Sequence, residues 1–248
     1  MRLYGKTAIV TGGASGFGAG IVRKFIYEGA NVMIVDLNIT PARTLAAEMG
    51  SQALAVQADV AQDDDVKAMI DATIAAFGQI DILVNNAGTT HLPTPLEDVT
   101  EADFDKVFAV NCKSVYLAAR HAVPLMKAQG HGVILNVAST AGVSPRPRLN
   151  WYNASKGWMN TATKAMAVEL APDGVRVNAI NPVAGETPLL KSFMGEDTPE
   201  IRAKFLSTIP MGRFSTPEDM GNAACYLCSD EAAMVTGVCM EVDGGRCI

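Results

Sequence analysis

The sequence has little histidine, no cluster of basic residues and no long apolar run, and each shortage narrows the range of functions. The chain has 248 residues and a formal net charge of −6. Without a basic block, nucleic acid is not an expected partner. No apolar run approaches the roughly 20 residues that span a bilayer, and the first apolar stretch is too short and too rich in glycine for a signal peptide. We therefore expect a soluble cytoplasmic protein.

The side chains that could bind a metal are scattered along the chain. His91, His121 and His131 have no matching cysteine pair beside them, so a zinc-dependent alcohol dehydrogenase is disfavoured and no metal site is expected. Cys225 and Cys228 have C-x-x-C spacing, but their segment is typical of a helix and lacks a second pair. The five cysteines are expected to be buried, reduced thiols.

Strand-like and helix-like segments alternate from one end of the chain to the other. Short apolar runs predict strands over residues 7–10, 31–36, 53–58, 80–84, 133–137, 175–180 and 238–242. Helical patterns predict helices over 18–29, from Thr40 at N-cap and Pro41, from the acidic triplet 63–65, and over 101–127, 152–170 and from Pro217 onward. Such repeated β–α units predict an α/β fold, a single Rossmann-type doubly wound parallel sheet with helices on both faces.

No change in composition marks a second domain, so residues 1–248 are expected to form one dinucleotide-binding and catalytic domain. One long irregular interval, 181–217, is rich in glycine and proline. Long segments of this kind often cover a site, and we interpret residues 186–212 as a substrate lid.

A glycine-rich turn, 11–18, follows the first predicted strand and opens the first helix. In this context glycines allow the backbone to approach a pyrophosphate at the helix N-terminus. Asp36 ends the second strand, where a carboxylate can bind ribose hydroxyls and repel a 2′-phosphate. Neither Ser15 nor Leu37 supplies a cation for that phosphate, so NAD is favoured over NADP.

Tyr152 and Lys156 are four residues apart and share one face of a predicted helix. A nearby ammonium favours the phenolate, so Lys156 is expected to lower the pKa of Tyr152. Alone, such a pair is more often a surface contact. Beside the glycine-rich turn, with Ser139 available to hold a substrate oxygen, it predicts acid–base chemistry on a carbonyl/alcohol pair.

Together these residues resemble the short-chain dehydrogenase/reductase family over essentially the whole chain. The resemblance rests on T-G-x-x-x-G-x-G at 11–18, N-N-A-G at 85–88, N-P at 181–182 and V-D-G-G at 242–245, and on a catalytic tetrad that it places at Asn111, Ser139, Tyr152 and Lys156. The resemblance implies the same Rossmann-type fold and an NAD-dependent oxidoreductase activity. The cofactor contacts that it implies are Gly12, Ser15, Gly16, Phe17, Gly18, Asp36, Leu37, Asp59, Val60, Asn86, Ala87, Gly88, Tyr152, Lys156, Pro182, Val183 and Thr187.

One departure from the family pattern is visible after Pro182. The family's glycine follows its proline directly, whereas here Val183 and Ala184 precede Gly185. The shape of this nicotinamide-side loop is therefore an open point, and so is the role of Thr187.

The resemblance also suggests roles and partners. Tyr152 is the general base or acid, Lys156 holds the cofactor ribose, Ser139 binds the substrate oxygen, and Asn111 positions a water. A homotetramer, or a homodimer, is implied through the helices that begin at Glu101 and Tyr152. A non-catalytic NAD-binding protein is the alternative from another class.

Within the family, segments 87–91, 185–188 and 236–239 are similar to bacterial formylbenzenesulfonate dehydrogenases. An aromatic or anionic alcohol or aldehyde is the substrate that this suggests, with a β-ketoacyl or sugar/polyol type as the alternative. Arg146 and Arg148 can clamp an anion or remain solvated loop charges. The remaining candidate substrate residues are His91, Thr140 and Trp151.

Overall fold

A computed structural model describes all residues from Met1 to Ile248. Seven strands form one parallel sheet in the order β3-β2-β1-β4-β5-β6-β7. The strands are β1 (Thr7–Thr11), β2 (Asn31–Asp36), β3 (Ala53–Gln57), β4 (Ile82–Asn85), β5 (Gly132–Val137), β6 (Val175–Pro182) and β7 (Cys239–Val242). The predicted doubly wound sheet is confirmed, and its strand order reverses between β1 and β4.

Nine α-helices connect the strands and flank the sheet. They are α1 (Gly16–Tyr27), α2 (Ile39–Met49), α3 (Asp63–Phe77), α4 (Glu101–Phe108), α5 (Ser114–Gln129), α6 (Asn150–Leu170), α7 (Leu190–Met194), α8 (Pro199–Leu206) and α9 (Pro217–Cys228). No helix is both long enough and apolar enough to cross a membrane.

The core lies in two layers, one on each face of the sheet. Phe25 of α1 and Leu227 of α9 belong to the larger cluster, together with apolar side chains of β1 and β2. Leu117 of α5 and Leu170 of α6 belong to the other cluster, with α3 beside them. Because both faces are covered, β1, β4 and β5 are buried along their whole length, as their short apolar runs predicted.

Helices α1 and α9 touch backbone to backbone through two glycines. A Cβ on Gly20 would lie 2.1 Å from the carbonyl oxygen of Pro217, and one on Gly221 would lie 2.7 Å from that of Gly20. Larger residues would force the helices apart. This close packing fixes α1, and with it the turn that precedes α1.

The prediction for the start of α2 is wrong by two residues. The helix begins at Ile39, and Asn38 is its N-cap, with its side-chain oxygen accepting from the backbone N–H of Thr40 at 3.2 Å. Asparagine is at least as good a cap as threonine. Pro41 is therefore the third residue of the helix, where it is tolerated because the N–H groups of the first turn have no helical partner.

The long helix predicted over 101–127 is interrupted in the structure. A π-type turn, Ala109–Lys113, separates α4 from α5. Such turns insert one extra residue into a helix and often mark functional sites. Asn111 lies at the centre of this one, and its side chain is fully buried.

The interval 181–217 is more regular than predicted. It contains α7 and α8, which pack over a small apolar cluster of five buried residues: Val183, Leu190, Met194, Ile209 and Phe214. Proline and glycine masked these helices in the sequence, because both helices are short. The interval therefore forms a folded cap beside the carboxyl ends of β5 and β6.

Candidate active site

A cavity of about 490 Å³ opens at the carboxyl ends of the strands, where the strand order reverses. In open α/β sheets this crevice is the usual place for a ligand. The turns after β1, β4, β5 and β6 all reach it. The interval between β6 and α9 forms its remaining wall.

The glycine-rich turn is tightly joined to the segment after β4. Asn86 donates from Nδ2 to the carbonyl oxygens of Thr11 at 2.8 Å and Gly12 at 3.0 Å. The hydroxyl of Thr11 accepts from the backbone N–H groups of Asn86 at 3.0 Å and Ala87 at 3.1 Å. These bonds hold the two backbone segments side by side and fix the floor of the cavity.

Glycine is required in this turn by backbone geometry. Gly12 and Gly16 have φ values of 59° and 53°, which other residues rarely adopt. A Cβ on Gly18 would lie 2.1 Å from the carbonyl oxygen of Gly12. The turn is therefore an open cradle at the N-terminus of α1, and it fits the pyrophosphate of a dinucleotide.

The far end of the cavity fits an adenosine. The Asp36 carboxylate lies at the end of β2 and accepts from the backbone N–H groups of Ala14 at 3.2 Å and Asn38 at 3.0 Å. Leu37 is largely exposed beside it, and Val60 forms an apolar wall. A carboxylate with an apolar neighbour and no adjacent cation suits an unphosphorylated ribose.

The structure places every predicted cofactor-contact residue on the wall of this one cavity. The loop after Pro182 is shaped by Gly185, where a Cβ would come within 2.3 Å of the Phe17 ring. Thr187 lies against the glycine-rich turn, with its Cβ and Cγ2 each 3.2 Å from where a Cβ on Gly16 would be. The displaced glycine thus still brings Thr187 to the cavity.

Tyr152 and Ser139 face each other at the inner end of the cavity. Tyr152 is in the first turn of α6, and Ser139 follows β5. Both side chains line the cavity. Burial raises the pKa of Tyr152 to about 12, and the nearby hydroxyl of Ser139 opposes this increase. The prediction of a lowered pKa is therefore wrong for the protein groups alone, because burial outweighs every other influence.

Lys156 lies one helical turn beyond Tyr152 and is almost completely buried. Its ammonium donates to the carbonyl oxygen of Val137 at 2.9 Å and lies 5.9 Å from the centre of the Tyr152 ring. Burial lowers its pKa to about 8. Near neutral pH the group is still a cation, but it can release a proton.

Asn111 lies behind the cavity wall and organises it. Its amide donates to the carbonyl oxygen of Thr89 at 3.0 Å and to the hydroxyl of Ser155 at 2.9 Å, and it accepts from the Thr89 N–H at 2.9 Å. A Cβ on Gly88 would lie 3.5 Å from both Asn111 Oδ1 and Lys156 Nζ. The amide and the ammonium therefore converge on one small volume.

Only one of the four candidate substrate residues lines the cavity. This residue is Thr140, whose hydroxyl donates to the carbonyl oxygen of Pro182 at 3.3 Å. The structure places His91, Arg148 and Trp151 away from the cavity wall. Arg148 is exposed and donates to the carbonyl oxygen of Pro93 at 3.4 Å. Trp151 packs its edge on Phe104.

Other residues complete the part of the cavity around Tyr152, which we call the substrate end. Phe193 of α7 lies against Tyr152, with ring centres 5.0 Å apart. The guanidinium of Arg146 lies 4.3 Å from the ring centre of Phe205 in α8. Phe193 and Phe205 both lie in the interval 186–212 that was interpreted as a lid, but the contact between Phe205 and Arg146 was not predicted because it depends on how this interval folds. No group of three or more histidine, cysteine, aspartate or glutamate side chains is arranged to hold a metal ion.

Comparison with known proteins places the chain in a family. A family model described as Enoyl-(Acyl carrier protein) reductase matches residues 12–246. The 4-formylbenzenesulfonate dehydrogenase of Comamonas testosteroni is 52% identical, with 99% of each chain covered. A 2,5-dichloro-2,5-cyclohexadiene-1,4-diol dehydrogenase of Sphingobium indicum is 38% identical, with 98% of this chain and 97% of that one covered.

A solved structure agrees with these relatives. The 3-ketoacyl-(acyl-carrier-protein) reductase from Brucella melitensis, in complex with NADH, superposes with a TM-score of 0.95. It is 50% identical, and the match covers 99% of this chain and 100% of that one. With the cavity described above, these similarities indicate a nicotinamide cofactor. The chain belongs to the short-chain dehydrogenase/reductase family and is an oxidoreductase that acts on a CH–OH or carbonyl group.

Proposed function

We propose that the protein is an NAD(H)-dependent dehydrogenase that interconverts a small alcohol and its carbonyl compound. The observation that carries this proposal is that Ser139 and Tyr152 line the same cavity as the glycine-rich turn. Lys156 and Asn111 complete the tetrad. The cofactor, when bound, supplies the hydride acceptor or donor, and its oxidised ring brings a positive charge.

Tyr152 holds the proton that the reaction moves. With a pKa of about 12, its phenol is protonated near neutral pH and is ready to donate to a carbonyl oxygen. In the oxidising direction the phenol must first lose its proton, so additional positive charge beside it favours that direction. Ser139 holds the substrate oxygen within reach of Tyr152 Oη.

Lys156 and Asn111 connect Tyr152 to a path for protons. Lys156 is cationic just below its pKa of about 8, so it can give and recover a proton near neutral pH. Its Nζ and the Asn111 amide meet beside Gly88, where a water can bind between them. Asn111 acts as a positioning residue, because its amide is also tied to Thr89 and Ser155.

The selectivity for NAD rests on Asp36. Its carboxylate lines the adenosine end of the cavity and would repel a 2′-phosphate. No lysine or arginine lies beside it on that part of the wall. We infer a preference for NAD over NADP from this charge distribution.

Residues 1–248 form one cofactor-binding and catalytic domain in this proposal, and residues 186–212 form its substrate lid. Phe193 covers Tyr152, and the buried cluster around Leu190 and Met194 attaches the lid to the body of the protein. When the lid closes over the cavity, it excludes water from the reacting atoms.

The substrate end favours an aromatic alcohol or aldehyde. Phe193, Leu149 and Phe205 give this end an apolar surface. The relative from Comamonas testosteroni is named for an aromatic aldehyde, 4-formylbenzenesulfonate. A β-ketoacyl type is the second candidate, which the name of the NADH-bound structural relative supports. Sugar and polyol substrates find fewer polar side chains here.

A homotetramer, or a homodimer, is supported by an exposed aromatic row on α4 and α6. Phe104 packs against Phe108 and Trp151, and Phe108 packs against Trp158. All four side chains are at least 37% exposed. A continuous exposed aromatic surface marks an interaction site, so replacing Trp158 with glutamate should lower the mass measured by light scattering.

The proposed function is tested with the purified protein, NAD or NADP, and matched alcohols and aldehydes. The panel pairs benzyl alcohol with benzaldehyde, a polyol with its ketose, and an acetoacetyl thioester with its alcohol. We expect NAD-dependent absorbance changes on the aromatic pair. NADH binding without turnover of any pair would favour the non-catalytic alternative.

A further inference from the structure

Arg146 lines the substrate end of the cavity, Arg246 lies behind it against Ser144, and neither arginine has an acidic partner. Arg146 donates to the Thr208 hydroxyl at 3.3 Å, and Arg246 donates to the Ser144 hydroxyl at 3.1 Å. Every ion pair of the chain involves other residues. Two half-buried guanidinium groups without a carboxylate create a region of positive potential.

The side chain of Arg146 is held in a fixed position relative to the reacting atoms. It lines the same cavity as Tyr152, and its guanidinium stacks on the ring of Phe205. Its backbone carbonyl accepts from the side-chain amide of Asn153 at 2.7 Å. Since Asn153 directly follows Tyr152, this hydrogen bond holds the backbone of Arg146 against the start of α6.

Arg246 contributes charge and not a direct contact. Its Nε–H is buried and has no hydrogen-bond partner. The carboxylate of Asp243 does not neutralise this charge, because it accepts from the N–H groups of Gly245 at 2.9 Å and Cys247 at 2.8 Å.

The charges of the two arginines influence each other. Burial lowers the pKa of Arg146 most, and the charge of Arg246 lowers it further. An anion bound beside Arg146 would offset the repulsion between the two charges. Guanidinium also suits sulfonate and carboxylate better than ammonium does, because its planar fork binds two oxygens at once.

We propose that Arg146, with the charge of Arg246 behind it, forms a subsite for an anionic substituent on the substrate, such as a ring sulfonate or carboxylate. The inference rests on the proposed function and specifies its substrate class. Phe193, Leu149 and Phe205 then contact the ring, between the reacting group at Tyr152 and the anion at Arg146. Arg148, which the sequence had suggested for an anion clamp, lies outside this subsite.

A competing explanation is that Arg146 merely attaches the cap through Phe205 and Thr208. The two explanations differ in charge selectivity. An anion subsite distinguishes ligands of the same shape by their charge, whereas a cap attachment affects all ligands equally.

The test measures binding by calorimetry with benzenesulfonate and its neutral counterpart benzenesulfonamide, each with NADH present and absent. For Arg146→Gln we expect benzenesulfonate affinity to fall about tenfold or more, and for Arg246→Gln by a smaller factor, with benzenesulfonamide changed less than about twofold in both. The control Arg43→Gln, on the exposed side of α2, should change neither. Equal losses for both ligands, or no preference of the unmodified protein for the sulfonate, would overturn the proposal.

Two further measurements distinguish failure of the subsite from misfolding of a variant and from failure of the proposed function. In the unmodified protein, benzenesulfonate affinity should fall with added salt while benzenesulfonamide affinity stays constant; parallel behaviour would contradict the subsite. Because binding is measured without turnover, charge-selective binding to a protein that turns over nothing refutes the dehydrogenase proposal alone. Turnover of neutral and sulfonated aldehydes with equal KM refutes the subsite alone.

Discussion

Ser139 lies on the same cavity wall as Tyr152, and its hydroxyl opposes the increase that burial causes in the pKa of the Tyr152 phenol. The serine is therefore more than a holder of substrate, because it also moderates the acidity of its partner. Ser139 Oγ accepts from the N–H of Ala141 at 3.0 Å, so its orientation is set by the backbone of the turn after β5.

Replacement of Ser139 with alanine should slow the reaction and change its pH dependence. We expect kcat to fall about 10²–10³-fold, as when one donor to a reacting oxygen is removed. Without the serine, the pKa of Tyr152 rises further, so the alkaline limb of the pH–rate profile should move to higher pH. Ser51→Ala, on an exposed turn, is the control. A slower enzyme with an unchanged profile would contradict the second role.

Lys156 makes stability depend on pH in a definite direction. Its pKa in the folded protein is about 8, below its ordinary value of 10.5. Between these values the unfolded chain holds a proton that the folded protein has released, so the contribution of Lys156 to the free energy of unfolding rises with pH. The cysteines, whose thiol pKa values burial raises, change stability in the opposite direction in every variant, so the lysine is isolated by comparison with Lys156→Met. The difference in stability between the unmodified protein and Lys156→Met, measured by urea unfolding, should rise between these pH values. An equal rise relative to the exposed control Lys164→Met would contradict the assignment.

Replacement of Asn111 with alanine should destabilise the protein by about 2–3 kcal/mol, because the N–H and carbonyl of Thr89 both lose their partner. Urea unfolding measures this, with the exposed Asn150→Ala as control. Asn111→Asp keeps the acceptor and loses both donors, so it should lie in between. Equal stability of all three variants would show that the amide does not organise the wall.

The cofactor preference should depend on the charge of Asp36 and not on its shape. Asp36→Asn keeps the size of the side chain and removes the charge. We expect the ratio of kcat/KM for NADP to that for NAD to rise about tenfold, or about 1.4 kcal/mol. Asp64→Asn, on an exposed helix start, should leave the ratio unchanged. An unchanged ratio in Asp36→Asn would assign the selectivity elsewhere.

The sequence predicted the fold well because both faces of the sheet are covered. Apolar runs such as 31–36 have no other stable location, and β2 has those bounds in the structure. The start of α2 was predicted wrongly because Asn38 and Thr40 can each cap the helix, and Asn38 comes first. The sequence did not predict the π-type turn at Asn111, because the side chain of Asn111 forms its hydrogen bonds with a loop that is distant in the sequence.

The features of the candidate site also divide into those that the sequence predicted and those that it did not. Residues on the ends of strands and on the first turn of a helix, such as Gly12 and Tyr152, were predictable because the topology brings those ends together. The pKa of Tyr152 was not, because it depends on burial by Phe193 and the cap. Arg246 was missed since its position depends on the C-terminal turn folding against Ser144.

The central claim is that Tyr152 transfers the proton in a nicotinamide-dependent reaction. Its most direct test is the kcat/KM of Tyr152→Phe with NAD and the best alcohol of the panel, beside NADH binding by fluorescence and the exposed control Tyr4→Phe. We predict a loss of about 10²–10⁴-fold with NADH affinity retained. Turnover by Tyr152→Phe within a few-fold of the unmodified protein would contradict the account.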